Sequence, residues 1–132
     1  MKAITLYQPW ASWIAYGWKT IETRMHNRFQ SLRGERVAIH AGKTWDENAI
    51  RVAHDYLRPD QRHRVAKAGC PRGAVLCSAF VVGCRRMLPS DAPFALCPYN
   101  GRLYVTVLKN IRPLDKPIPA RGSQGVWTWE PP

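Results

Sequence analysis

The stretch Gly17-Trp18-Lys19-Thr20-Ile21-Glu22-Thr23-Arg24 places a lysine, a glutamate and an arginine within six residues. It follows the aromatic segment 8–16, in which Trp10, Trp13 and Ile14 recur at helical spacing. Because glycine commonly ends a helix, the pattern predicts a short helix, a turn at Gly17 and a β-strand over 19–24. Three ionisable groups so close to a packed helix either neutralise one another or contact a ligand.

Strand geometry restricts how these three charges can meet. Glu22 and Arg24 are two residues apart and share one face of a regular strand, whereas Lys19 belongs to the other face. Lys19 can therefore join Glu22 only if it sits in the turn after Gly17. The residues alone favour a Glu22–Arg24 ion pair with Lys19 in solvent, and a shared cleft facing a ligand is the alternative.

The remaining sequence predicts a small mixed fold. A longer helix should begin at Thr44, with Glu47 in the capping-box position, and end at Pro59. Residues 25–34 and 87–101 have the composition of loops, 60–73 is ambiguous, and 113–125 is broken by prolines. We predict the other strands over 2–7, 36–41, 73–84, 103–111 and 126–129. With no repeat or linker, we expect one domain over 1–132, an α+β mixed β-barrel of five to six strands with two to three flanking helices.

The charge balance is the unusual feature of the composition. Twenty Lys and Arg residues stand against nine Asp and Glu residues, a net charge of +11, and fourteen of the twenty are arginine. Such an excess favours an anionic partner, and the arginine fork suits phosphate. The arginines are scattered rather than gathered on one amphipathic helix, which argues against a membrane surface. No 18-residue apolar run and no signal-peptide stretch is present, so we expect a cytoplasmic protein.

The four cysteines do not form a metal-binding pattern. Cys70, Cys77, Cys84 and Cys97 include no C-x-x-C pair, and no histidine stands at zinc-finger spacing. Cys77 and Cys84 differ by an odd number, so a regular strand would point them to opposite faces. We therefore predict free thiols and no metal or cofactor.

The quoted stretch resembles the signature of a known family. Gly17-x-Lys19-x-x-Glu22-x-Arg24 is similar to the motif of the ASCH domain, a member of the PUA-like superfamily. The segments 8–12, 37–43 and 124–127 resemble this family's opening segment, next strand and closing strand. The resemblance implies a PUA-like β-barrel, a cleft where the signature meets the helices, and an association with RNA.

The first functional hypothesis is a binding module. The resemblance implies that RNA, or single-stranded DNA, lies in a basic cleft around the signature. Trp10 is the expected stacking residue. The other predicted nucleic-acid-binding residues are Ser12, Lys19, Arg24, His40 and Lys43.

The second hypothesis is a hydrolase in which Lys19 and Glu22 are catalytic. In members resembling N4-acetylcytidine amidohydrolases, a lysine, a threonine and a distant glutamate carry the chemistry. Lys19 aligns with that lysine, Glu22 stands where the threonine is, and Asp91 is the only acid in the broad region of the glutamate. A ribonuclease activity is also attributed to ASCH proteins. A protein–protein adaptor is a third hypothesis.

Overall fold

The computed structural model describes residues 1–64 and 69–132. Its centre is a six-stranded mixed sheet that curls into a half-barrel, which confirms the predicted α+β class. The order across the sheet is β2-β5-β4-β3-β1-β6. The β1–β3 pair is parallel, and the other four pairs are antiparallel. The strands are β1 (Lys2–Gln8), β2 (Ile21–Arg24), β3 (Arg36–Trp45), β4 (Ala74–Arg86), β5 (Tyr104–Pro119) and β6 (Trp127–Thr128).

Short helices cover the sheet in the described part of the chain. They are α1 (Trp10–Ala15), α2 (Ala49–Ala53), α3 (Pro59–Arg64) and α4 (Ala92–Ala95), with 3₁₀ turns over 28–32, 54–56 and 89–91. Ala11 and Ile14 of α1 pack into the main core, and Trp13 packs on α2 and Leu96. The helix thus presents two faces to two apolar clusters, as its spacing predicts.

The predicted helix start at Thr44 is wrong. β3 continues through Thr44 to Trp45, and α2 begins only at Ala49. Trp45 pairs with Gln8 of β1, and the next backbone amide, that of Asp46, donates to the Gln8 carbonyl at 2.7 Å. These backbone groups are already bonded to the neighbouring strand, so no helical turn can use them.

The proline-rich tail also differs from the prediction. The fifth strand does not end at Ile111 but runs to Pro119. Asn110 adopts a positive φ of 51° at an irregularity, after which pairing with β4 resumes. β2 pairs only with residues 104–107, so the proline-containing half of β5 lies at an open edge of the sheet. Prolines are tolerated there because their missing amide faces no partner strand.

The ambiguous connection over residues 60–73 is described in part. α3 accounts for the start of the ambiguous connection, while 65–68 lie outside the described residues.

The four cysteines are free, with Cys84 half-buried and the other three buried. No helix in the described ranges is long and apolar enough to cross a membrane.

Candidate functional site

An open cleft of about 1610 Å³ lies beside the signature segment. Its floor contains Lys19, Glu22, Thr23 and Arg24. The ends of β1 and β3 form one wall, the loop 97–103 forms another, and residues 119–125 form the third. The signature segment therefore lines a concavity, but its walls are mainly strand ends and loops, and the α-helices contribute only Trp10 and Val52 to the described lining.

Lys19 is at the bottom of this cleft and is almost completely buried, with 1% of its surface exposed. It precedes β2, so the strand does not begin at residue 19, and its side chain can reach Glu22. The ammonium donates to the carbonyls of Ile21 at 2.7 Å and Ala95 at 2.9 Å, and lies 3.4 Å from Glu22 Oε1. Two of the three ammonium hydrogens are thus bonded to backbone carbonyls, and Glu22 Oε1 lies at ion-pair distance.

Burial sets the protonation behaviour of Lys19. Removing the amine from water lowers its pKa, and the neighbouring Glu22 carboxylate partly offsets this. The Glu22 carboxylate therefore favours the charged form of Lys19, whereas burial favours the neutral form.

Glu22 is held from two sides. Its Oε1 faces Lys19, and its Oε2 accepts from Arg24 Nε at 3.1 Å. Arg24 also donates through Nη2 to the Thr5 carbonyl at 3.0 Å and stacks its guanidinium over Phe29. The expected Glu22–Arg24 ion pair is present, but the expectation that Lys19 lies in solvent is wrong, because the turn after Gly17 buries Lys19 beside Glu22.

Trp10 lines the cleft but is firmly attached to its surroundings. Its Nε1 donates to Asp46 Oδ2 at 2.8 Å, and the Lys19 ammonium lies 4.9 Å from its ring centroid. Trp13 packs against the same ring in an edge-to-face arrangement. Trp10 therefore presents only part of its surface to the cleft.

His40 is packed into the wall and does not point freely into the cleft. The Ala120 carbonyl can only accept, so His40 Nε2 carries a hydrogen and donates to it at 2.7 Å. Thr5 Oγ1 accepts from Trp127 Nε1 at 3.0 Å and lies 3.1 Å from His40 Nδ1, to which it donates. This chain of hydrogen bonds connects β1, β3, β6 and residues 119–125.

The cleft contains more cationic than anionic side chains, and several of the cations have no anionic partner among the described residues. Five lysine and arginine side chains face two carboxylates, those of Glu22 and Asp46. Both carboxylates already have partners within the protein. Among the described residues, no carboxylate lies within ion-pair distance of the remaining exposed cations, which are Arg28, Lys43 and Arg121.

The sequence profile of the ASCH domain matches residues 4–114. The chain belongs to the ASCH domain family. The crystal structure of ASCH from Zymomonas mobilis superposes with a TM-score of 0.62 at 15% sequence identity, covering 98% of this chain and 87% of that chain. A mutant form of the same protein gives a TM-score of 0.58 at 15% identity, with the same two coverages. At this identity the likeness shows the fold alone.

The structure brings most of the predicted site residues of this ASCH domain together. Trp10, Lys19, Glu22, Arg24, His40 and Lys43 all line the cleft. Ser12 does not line it. That side chain is 1% exposed, and its hydroxyl accepts from the Gln8 side chain at 2.8 Å, because α1 turns it inward. Asp91 is also outside the cleft, where it pairs with Arg85.

Sequence reasoning missed most of the other cleft residues of the ASCH domain, among them His26, Arg28, Tyr99 and Arg121. All four lie on connections between strands, so no periodicity marks them. His26 Nδ1 accepts from the Arg28 backbone amide at 3.1 Å. Burial and then the charges of Arg28 and Arg24 lower the pKa of His26, which makes it a neutral hydrogen-bond donor through Nε2.

Proposed function

We propose that the cleft binds RNA, with Arg28, Lys43 and Arg121 contacting phosphates. The observation that carries this proposal is that these three cations are exposed and unpaired within the described chain, while Glu22 is already paired with Lys19 and Arg24. In the cleft, only Asp46 keeps a negative charge that no described cation neutralises, and it already accepts from the Trp10 indole and the Asn48 amide. The net charge of +11 adds long-range attraction to such a ligand.

A titration with a labelled single-stranded RNA tests the proposal. Binding should weaken with added salt, since each phosphate contact contributes about −0.7 to the slope of log K against log salt for a single strand. Removing all three cations in Arg28→Ala/Lys43→Ala/Arg121→Ala should reduce the slope by about 2 and weaken binding at low salt. The same oligonucleotide made as DNA shows whether the 2′-hydroxyl matters.

The matched control removes three exposed charges that do not line the cleft, Arg33, Arg112 and Lys116. This control variant has the same net charge as the test variant. RNA affinity in the control should stay close to that of the wild type. Equal loss in the two triple variants would mean that binding follows net charge alone and that the cleft is not the site.

A second candidate function is hydrolysis by Lys19 and Glu22. It is favoured by the 3.4 Å separation of Lys19 Nζ and Glu22 Oε1 at the cleft floor and by the lowered pKa of the lysine. Glu22 would take a proton from water, and Lys19 would face the developing oxyanion. On N4-acetylcytidine, water would add to the acetyl carbonyl carbon, Glu22 would pass the proton to N4 as the bond from that carbon to N4 breaks, and cytidine and acetate would form. Binding remains preferred because the Lys19 ammonium is already held by two backbone carbonyls and by Glu22.

Glu22→Gln separates the two candidates. If the cleft hydrolyses N4-acetylcytidine or RNA, this variant should be slower by about 100-fold or more while its thermal midpoint shows that it still folds. Glu130→Gln, at an exposed glutamate outside the cleft, is the control. Wild-type protein that binds RNA but releases neither acetate nor RNA fragments would exclude hydrolysis and leave binding as the function.

A further inference from the structure

An exposed aromatic side chain, that of Tyr99, lines the cleft on the loop before β5. We propose that Tyr99 is a platform on which one unpaired nucleobase stacks, so that the cleft selects single-stranded over duplex nucleic acid. This inference rests on the proposed nucleic-acid binding and adds a residue and a substrate class to it.

The tryptophan of the cleft is poorly placed for this task. One edge of Trp10 is bound to Asp46, its ring lies against the Lys19 ammonium, and Trp13 packs on it. A base would have to displace these groups to cover the ring. The stacking surface must therefore come from another aromatic residue of the lining.

Tyr99 meets the requirement. Half of its surface (50%) is exposed, and it lines the cleft on the loop between α4 and β5. Within the described residues it takes part in no hydrogen bond, aromatic pair or cation–π contact, so its ring is open. Cys97, two residues earlier, lies at the cleft floor beside Lys19. A base on the Tyr99 ring would stand close to the polar floor formed by the signature segment.

Gly101 fixes where the ring can lie. A Cβ atom on this glycine would be 2.9 Å from Tyr99 Oη and 3.5 Å from Cζ. The end of the tyrosine ring thus lies directly over Gly101, where the absence of a side chain leaves room for it. An alanine there would shift the ring, because the end of a side chain yields more easily than backbone.

The surrounding charges fit a single strand. Arg28, Lys43 and Arg121 offer phosphate contacts in the same cleft, while the tyrosine offers a flat apolar face. Stacking on an aromatic side chain is tolerant of base identity, but it needs a base released from its pairing partner. A duplex presents phosphates only, so it can use the cations but not the ring.

The test uses an eight-nucleotide RNA carrying one 2-aminopurine, whose fluorescence is quenched when it stacks. With the wild-type protein, quenching and an affinity above that for the matched duplex are expected. Tyr99→Ala should weaken single-strand binding about 5- to 100-fold, abolish the quenching and leave the salt slope unchanged, since stacking involves no phosphate. Tyr99→Phe should bind within about twofold of wild type, and Gly101→Ala should show an intermediate loss.

Phe94→Ala is the matched control, because Phe94 is an exposed aromatic residue outside the cleft. If Tyr99→Ala binds and quenches like this control, or if Tyr99→Phe is as weak as Tyr99→Ala, the stacking inference is wrong. The stacking inference is also wrong if Tyr7→Ala, at the other exposed tyrosine of the lining, abolishes the quenching and weakens RNA binding while Tyr99→Ala does not. In each of these cases the cation-dependent binding stands. Wild-type protein that retains no RNA at low salt would overturn both proposals.

Discussion

At the scale of single residues, the lysine of the signature acts first as a structural cation. From the turn after α1, its ammonium donates to the first residue of β2 and the last residue of α4 and forms an ion pair with Glu22. The position of Ala95 in turn sets the start of the loop that carries Tyr99. The shape of the cleft therefore depends on a charge that is itself almost hidden from solvent.

Replacing this lysine should destabilise the fold. Lys19→Met keeps much of the side-chain volume but leaves two buried carbonyls unpaired and removes one partner of Glu22. The expected loss in free energy of unfolding is about 3 kcal/mol. Lys43→Met, at an exposed lysine of the same cleft, should change it by less than about 0.5 kcal/mol. Urea unfolding followed by tryptophan fluorescence measures both, and equal stability of the two variants would contradict the structural role.

Gly122 is a second residue at which the cleft wall can be tested. A Cβ atom there would be 2.5 Å from His40 Nδ1 and 2.7 Å from Thr5 Oγ1, where the two side chains share a hydrogen bond. Gly122→Ala should therefore separate them and cost about 1–3 kcal/mol. Gly83→Ala, with nothing within 4 Å of its added carbon, is the control. An unchanged His40 ring signal in the NMR spectrum of Gly122→Ala would show that the wall accommodates the extra carbon.

At the scale of elements, those marked by a local sequence pattern were predicted, and those that depend on distant contacts were not. α1 and β4 were predictable because helical spacing and an apolar run mark them locally. The helix at Thr44 failed because pairing with Gln8 keeps that segment extended, a contact between distant residues. The second half of β5 failed because a proline-rich strand is acceptable only at an open edge, and the sequence does not show which edges are open.

The loop before α4 depends on a carboxylate whose behaviour with pH can be predicted. Asp91 accepts two hydrogen bonds from Arg85, at 2.7 and 3.0 Å, and one from the Leu88 amide at 2.8 Å. The Arg85 hydrogen bonds lower the pKa of Asp91 most, so the folded protein releases this proton more readily than the unfolded chain does. The stabilisation is complete above the ordinary aspartate pKa of about 3.9 and is lost as the pH falls through the lowered value.

Asp91→Asn isolates this contribution. At pH 7 the variant should be less stable than the wild type by about 2 kcal/mol, and the difference should shrink below about pH 4. Asp115→Asn, at an exposed aspartate of β5, should show little difference at either pH. Urea unfolding at pH 7 and pH 3 measures the change. A difference that persists unchanged at pH 3 would mean that the charge of Asp91 is not responsible.

At the scale of the whole molecule, the cleft joins parts of the chain that are far apart in sequence. Two parts of the cleft could be located from sequence. Lys19, Glu22 and Arg24 belong to the contiguous signature, and His40 and Lys43 belong to β3. The wall 119–125 lies beyond the matched family segment, which ends at residue 114. Arg121 and Tyr99 lie on loops, and the path of each loop brings its residue to the cleft. Their positions therefore depend on tertiary packing.

The last strand holds this wall in place, so its removal should affect the whole fold. Trp127 donates to Thr5, the Trp129 amide donates to the Met1 carbonyl at 2.7 Å, and the buried Trp129 side chain packs on Ala3. A chain ending at Gly125 should therefore lose about 3 kcal/mol or more of unfolding free energy, mainly from the two indoles. A chain ending at Trp129 loses only exposed residues and should remain as stable as the full chain. Urea unfolding of the two shortened chains decides the matter, since equal midpoints would show that β6 contributes nothing to the sheet or to the cleft.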